Sequence, residues 1–374
     1  VDLDLTDEQE MFHSATRKFL ERVSSMAHVR ELWKCESGFD RAAWRQAAEL
    51  GWFAAFADEQ NGGGSVSGHP VADASIVVEE VGRALFPGPV VPTNVVAYAI
   101  AQSGSSAQRL EYLPGLIGGD SIGAWAFAES TDSWDGAGID LEAMPEGEGF
   151  RLTGLKSCVQ DAASADLLVV SARAPAGLTQ FLLPKGTPGV NVSPLDSLDL
   201  GRRFANVQFD AAVVPSHALL GDVGGAGAAI ERQRDLATVL VCAETVGAVN
   251  RCYEMTLEYA RMRKTFGRPI GSYQALKHRF ADMLLWLEGA KAITVAAASA
   301  AELDVDRAEY ASIAKAYVSD RGPAIVRDCL QIHGGIGYTW EYDLHLFLRR
   351  VDSNAALFGG AAHHEDRLAH LVGL

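Results

Sequence analysis

The spacing of apolar residues switches twice along this chain of 374 residues, and that double switch constrains the fold more than any other feature. From Thr6 to about Gly118 they recur at helical intervals, as in FLERVSSMAHVRELW, FDRAAWRQAAELGWFAAF and DASIVVEEVGRALF. Around Ser121 the pattern becomes short β-type runs, including GAWAFA, FRLTG, DLLVVSA, TQFLLP and FANVQFDAAVVP, separated by Gly, Pro, Asp and Ser. After GDVGGAGAAIERQ the helical period returns in segments near 226–262, 272–301 and 305–334, each longer than an average globular helix. The expectation is an α+β chain with an N-terminal α-helical domain (1–120), a middle antiparallel β domain (121–224) and a C-terminal four-helix bundle (225–374). Gln60 to Gly68, QNGGGSVSG, reads as a flexible loop, and the stripe Trp52, Phe53 and Phe56 reads as core.

The chain carries 48% hydrophobic and 21% charged residues, which is globular composition. No apolar run approaches the ~20 residues that cross a bilayer, so no membrane span is expected. The acidic start VDLDLTDEQEMF lacks the basic and apolar stretches of an export signal, and the cytoplasm is the expected location. A net charge of −16 has the wrong sign for a nucleic-acid surface. Cysteines 35, 158, 242, 252 and 329 are scattered without CxxC spacing and read as reduced thiols. No carboxylate or cysteine stands at ligand spacing around His278 or His333, so no metal is expected there, and His363-His364 read as solvated.

The bundle region contains YARMRKTFGRPIGSYQALKHRFADM and then QIHGGIGYTWEYDLHLFLRR. Both strings closely resemble the C-terminal signatures of the acyl-CoA dehydrogenase family, and the likeness extends more loosely over nearly the whole chain. It implies FAD shared between subunits, the bundle of one gripping the ADP half of a cofactor whose isoalloxazine lies in its neighbour. Arg263, Thr265, Phe266, Gln274, Gln331, Gly334 and Gly335 stand at the matching positions. A guanidinium can pair bidentately with pyrophosphate, and paired glycines let backbone N–H groups reach an anion. Alone, RxxFG or HGG reads as a surface cation and an ordinary turn; the two together at family spacing carry the cofactor reading.

Taking an α-proton from a thioester needs a carboxylate in a largely dry pocket. The family's glutamate belongs to a YEG string, which here is Phe358-Gly359-Gly360; a second family position for it, on the helix that opens the bundle, matches Ala237. Glu244 lies two turns beyond Ala237 in the apolar run LATVLVCAETVGAV, with Leu240 and Ala248 one turn either side unable to neutralise it. Its xAExxG context resembles actinobacterial relatives acting on bulky, including steroid-derived, thioesters. Glu244 is therefore the candidate base, against the alternative of a glutamate paired with an unseen arginine. The missing side chain at Gly359 suggests a wider pocket. The flavin-facing TEPGAGSD string of the family is replaced by AESTDSWDG, and Cys158 and Gln160 stand where it carries tryptophan and threonine. Backbone contacts from Phe127, Ala128 and Val159 are those expected to survive.

The leading expectation is FAD-dependent α,β-dehydrogenation of an acyl-CoA, with Glu244 taking the α-proton, hydride passing to flavin N5, and an electron-transfer flavoprotein as oxidant. The alternatives are a catalytically silent subunit completing a related chain's FAD site, and an oxygen-reactive relative of the same fold. The assembly expected is a homotetramer or a heterotetramer with a related subunit.

Overall fold

The computed structural model describes residues 4–129 and 133–374. Its first part is helical: α1 (Asp7–Val23), α2 (Met26–Leu32), α3 (Arg41–Glu49), α4 (Pro70–Ala84), α5 (Val90–Ser103) and α6 (Ser106–Ile117). Polar caps fix several starts: Thr6 with Gln9 and Ser105 with Gln108 form reciprocal capping boxes on α1 and α6, and Pro70 opens α4. Trp52, Phe53 and Phe56 are buried, as their spacing predicts. The glycine-rich stretch expected to be flexible is tied down, because Ser65 Oγ donates to Asp73 at 2.6 Å and Ser67 donates to it from both Oγ, at 2.6 Å, and its backbone N–H, at 3.0 Å.

The middle part is a sheet of β1 (Gly123–Ala126), β2 (Glu142–Glu146), β3 (Gly149–Gln160), β4 (Leu167–Ala174), β5 (Gly177–Pro184), β6 (Val190–Leu195), β7 (Phe204–Pro215) and β8 (Leu219–Leu220). The order is β6-β7-β3-β2-β4-β5-β8, with β1 alongside β4. Most neighbours are antiparallel, as expected, but β1 and β2 both pair with β4 in parallel. Leu167 to Val170 are consequently buried without the alternation of a half-exposed strand.

The third part begins with α7 (Gly227–Met262), passes through the small hairpin β9 (Lys264–Thr265) and β10 (Arg268–Pro269), and continues as α8 (Gln274–Leu303), α9 (Arg307–His333), α10 (Leu344–Ala356) and α11 (Ala361–Leu371). α7 is the central element, packed against α4 and α5 on one side and α8, α9 and α10 on the other. α8 is long and apolar enough to cross a membrane by length and composition, yet it packs within this bundle through Phe280, Met283, Leu287 and Ala290. Leu284 and Leu285 on its other face are exposed.

α4 and α7 cross with their backbones in contact. A Cβ on Gly82 would overlap the carbonyl oxygen of Glu244, and one on Gly247 would overlap that of Glu79. Neither obstacle is a movable side chain. Gly82→Ala and Gly247→Ala are each expected to lower stability by about 1–3 kcal/mol or more, read as a drop in denaturation midpoint.

Candidate functional site

Glu244 sits in the middle of α7 and is buried, 2% exposed. Both of its oxygens are engaged. Arg350 Nη1, from α10, donates to Oε1 at 2.7 Å, while Arg202, from the loop between β6 and β7, pairs with Oε2. Asn354, one turn beyond Arg350, accepts from Arg202 at 2.6 Å and donates to Thr245 at 3.1 Å. Asp199 completes the cluster by accepting from Arg350 Nε at 2.5 Å. The apolar surroundings expected of Glu244 hold along its own helix, but the carboxylate is not uncompensated: its counter-charges arrive from other segments. To take a proton from a substrate it would first have to leave a guanidinium.

The residues expected to face a flavin lie close by. Phe127 and Val159 are buried, Ala128 is half-buried, and Cys158 is exposed with a φ of 51°. Lys156, fully buried in β3, fixes this segment, donating to the Phe127 carbonyl at 3.0 Å and to Glu129 at 2.5 Å. Burial pushes the Lys156 ammonium down to about 8, against the pull of Glu129. Glu129 also accepts the backbone N–H groups of Asp140 and Leu141, each at 3.0 Å. Arg173 grips the far end, donating at 2.8 Å to the carbonyls of both Ile139 and Gly136.

A cavity of about 30 Å³ lies among Phe127, Ala128, Cys158, Val159, Trp134 and Phe358. Ligand pockets usually hold ~300–1,000 Å³. Side chains fill the rest: Trp125 stacks on Phe127 at 4.5 Å and on Phe358 at 6.2 Å, and Trp134 meets Phe358 edge-on at 5.9 Å. Among the described residues, the space beside Phe358 and Gly359 is thus small, in contrast to the wider pocket suggested by Gly359. Gly359 has a φ of 98°, and a Cβ there would run into the His363 ring, so a glutamate at this position would displace that histidine. His364, expected to be solvated, is fully buried because its Nε2–H donates to the Phe358 carbonyl at 2.9 Å; burial lowers its ring to about 3 and keeps it neutral.

The other candidate residues gather at the far end of the bundle. Arg263 caps α7, Thr265 lies in β9, Gln274 opens α8, and Gln331, Gly334 and Gly335 end α9; Tyr259 stacking on His333 at 4.2 Å draws the ends of α7 and α9 together. His333 donates from Nδ1 to the Cys329 carbonyl at 2.8 Å and takes a structural place. Arg263, Thr265, Gln274, Gln331 and Gly335 are exposed, and Phe266 is 92% exposed. Arg263 has no ion-pair partner among the described residues, and the Cβ positions of Gly334 and Gly335 meet nothing within 4 Å. These residues form an open donor surface suited to an anion. Glu244 and Arg263 stand 19 residues apart on α7, or about 28 Å along its axis.

The sequence singled out Glu244 but not Arg202, Arg350, Asn354, Lys156, Trp134 or Phe358 as site-forming. Arg350 and Asn354 carry a weak signal, an i,i+4 polar pair on an otherwise apolar helix face. Arg202 carries none.

Two measurements check this description. Glu244→Ala leaves two guanidiniums buried without their shared partner and is expected to destabilise the chain by about 3–5 kcal/mol, seen in chemical denaturation. Asp161 borders the same cluster, and burial raises its carboxyl to about 6, against the pull of Arg202. A raised folded value contributes stability at low pH that is lost as pH rises through it. Stability is thus expected to fall by about 2–3 kcal/mol between about pH 4 and about pH 6 from this group, and Asp161→Asn to flatten that slope in thermal melts.

Comparison with known proteins covers the whole architecture. The acyl-CoA dehydrogenase N-terminal, middle and C-terminal domain models match residues 6–120, 124–212 and 225–371. The acyl-CoA dehydrogenase IpdE2 of Mycobacterium tuberculosis is 31% identical over 94% of this chain and 93% of its own length. Among solved structures, the ChsE4-ChsE5 complex from Mycobacterium tuberculosis superposes with a TM-score of 0.91 at 27% identity, covering 100% of both chains. The Tcur3481-Tcur3483 steroid ACAD gives 0.89 at 28%, covering 98% of each. Members of this family bind FAD. Domain matches in order, a relative of this identity along nearly the full length, and a shared three-part fold place the chain in the acyl-CoA dehydrogenase family.

Proposed function

We propose that this chain is a subunit of an FAD-dependent acyl-CoA dehydrogenase whose bundle end completes an FAD site centred in a related partner chain. The observation that carries the reading is the contrast between its two half-sites. The bundle end is open and supplies an exposed guanidinium at Arg263 with no ion-pair partner among the described residues, amide donors at Gln274 and Gln331, backbone N–H groups at Gly334 and Gly335, and an exposed ring at Phe266. These groups fit a pyrophosphate and its flanking rings. The β-domain side is packed with aromatic rings, and the buried Glu244 near it is held by two arginines.

Glu244 and Arg263 lie ~28 Å apart along α7, and this separation supports two half-sites that serve different cofactors in an assembly of at least two subunits. The exposed leucines of α8 give the bundle an apolar surface to bury in such an assembly. Likeness to the ChsE4-ChsE5 complex supports a heteromer, and likeness to the Tcur3481-Tcur3483 steroid ACAD supports a bulky, steroid-derived acyl-CoA as its substrate. Bound FAD supplies the two-electron acceptor for α,β-dehydrogenation of the thioester, and an electron-transfer flavoprotein is the proposed oxidant. In this chain Arg263, Gln274 and Gln331 orient the anionic half of the cofactor. Glu244 anchors Arg202 and Arg350, and with them the loop after β6 and the helix α10.

One observation favours a competing role for Glu244 as the base: it shares the wall of a small cavity with Gln160 and Val91, which also line the aromatic chamber. The two roles separate on Glu244→Gln. A base predicts unchanged stability with turnover lower by ~10²–10⁴. An anchor predicts lost stability with turnover per folded enzyme little changed.

The subunit reading is tested by purifying this chain with its co-purifying partner. About one FAD per two chains is expected, as one of the two kinds of site is closed, and Arg263→Ala is expected to empty the shared site. One FAD per subunit and acyl-CoA oxidation by the chain alone would overturn the reading.

A further inference from the structure

Trp134 lies in the AESTDSWDG string and Phe358 in the Phe358-Gly359-Gly360 string, the two places where this chain departs from the family's flavin and base motifs, and both stand at the mouth of the β-domain chamber. Their rings extend a continuous stack: Trp134 on Phe358, Phe358 on Trp125, and Trp125 on Phe127. The stack runs from β1 to the turn between α10 and α11 and crosses the gap between the flavin-facing segment and the former base string.

The backbone of each of these two residues is held by a buried polar group. The Trp134 carbonyl accepts from Arg234 Nη1 at 3.2 Å, and Arg234 is 1% exposed on α7. The Phe358 carbonyl accepts from the fully buried His364. Phe358 also holds a φ of 58°, a left-handed conformation that a bulky side chain adopts only where its surroundings over-determine it. Those surroundings are the His364 hydrogen bond, the rings on either side, and Gly359 following at a φ of 98°. Two anchors and a strained backbone are more than filling a gap requires.

We propose that Trp134 and Phe358 are the residues that exclude an isoalloxazine ring from this chain's own chamber, making the closure a built feature of the subunit. The inference rests on the subunit reading above and names the side chains responsible for it. Both residues are only half-buried, so removing their rings opens the mouth without hollowing the core.

The experiment uses lumiflavin, an isoalloxazine with no ADP half, so that the shared bundle site plays no part. Binding is followed by lumiflavin fluorescence in the wild type, in Trp134→Ala/Phe358→Ala, and in Phe358→Leu, with circular dichroism confirming the fold. The wild type is expected to show no saturable binding, and the double variant to bind at least about tenfold more tightly, with Phe358→Leu between them. Equal binding by wild type and variants, or no gain in folded variants, would overturn the proposal. If the double variant does not fold, Phe358→Leu decides, since it removes the ring stacked on Trp125 while keeping an apolar side chain. The FAD count of the co-purified assembly tests the subunit reading separately: one FAD per two chains with no lumiflavin gain sinks the closure alone, and one FAD per chain sinks the reading beneath it.

Discussion

A carboxylate taken out of water must be met by charge, and at Glu244 the fold meets it twice. Desolvating an ion costs several kcal/mol even after relaxation, so the arrangement persists only when its partners are in register. Those partners come from the loop after β6 and from α10, so one buried cluster fixes the middle sheet and the short C-terminal helices against α7 at the same time. Lys315, buried on α9, adds a further tie by donating to the carbonyls of Asn354 and Ala355 at the end of α10. Placement of the turn that carries Phe358 follows from that helix end.

The backbone contact between α4 and α7 serves the same point. Gly82 lies directly against the Glu244 carbonyl, and Gly247 admits the neighbouring turn of α4. With the helices this close, Val81 on α4 reaches the cavity beside Glu244, whose volume of about 10 Å³ leaves little space among the described residues for water to screen the charges. Close helix packing and a dry ion cluster thus depend on each other, since a wider crossing would wet the carboxylate and loosen its hold on both arginines.

Much of this architecture was legible because period is a local property. Helical and strand spacing located the three parts, and Trp52, Phe53 and Phe56 declared their burial by stripe alone. Glu244 was visible as an acid in an apolar run, but its neutralising arginines lie 42 and 106 residues away, a separation no local pattern encodes. The same limit hid His364, whose burial depends on the Phe358 carbonyl, and the order of the 60–68 stretch, which depends on Asp73 lying on the following helix. Parallel pairing of β1 and β2 with β4 was equally out of reach, because alternation reports which face is buried and not which way a neighbour runs. The exposed strings at the bundle end were read by resemblance, and the structure adds what resemblance could not: their distance along α7 from Glu244.

The segment that departs furthest from the family pattern begins and ends at cationic clamps. Lys156 holds Glu129 at its start, and Arg173 holds Gly136 and Ile139 at its end, with both cations rooted in paired strands. The two cations thereby tie both ends of the segment to the sheet. Trp134, between the clamps, has its own ties, with its carbonyl accepting from Arg234 and its ring meeting Phe358. The ends of the segment are thus set by the sheet, while the ring of Trp134 inside it is set by the bundle side.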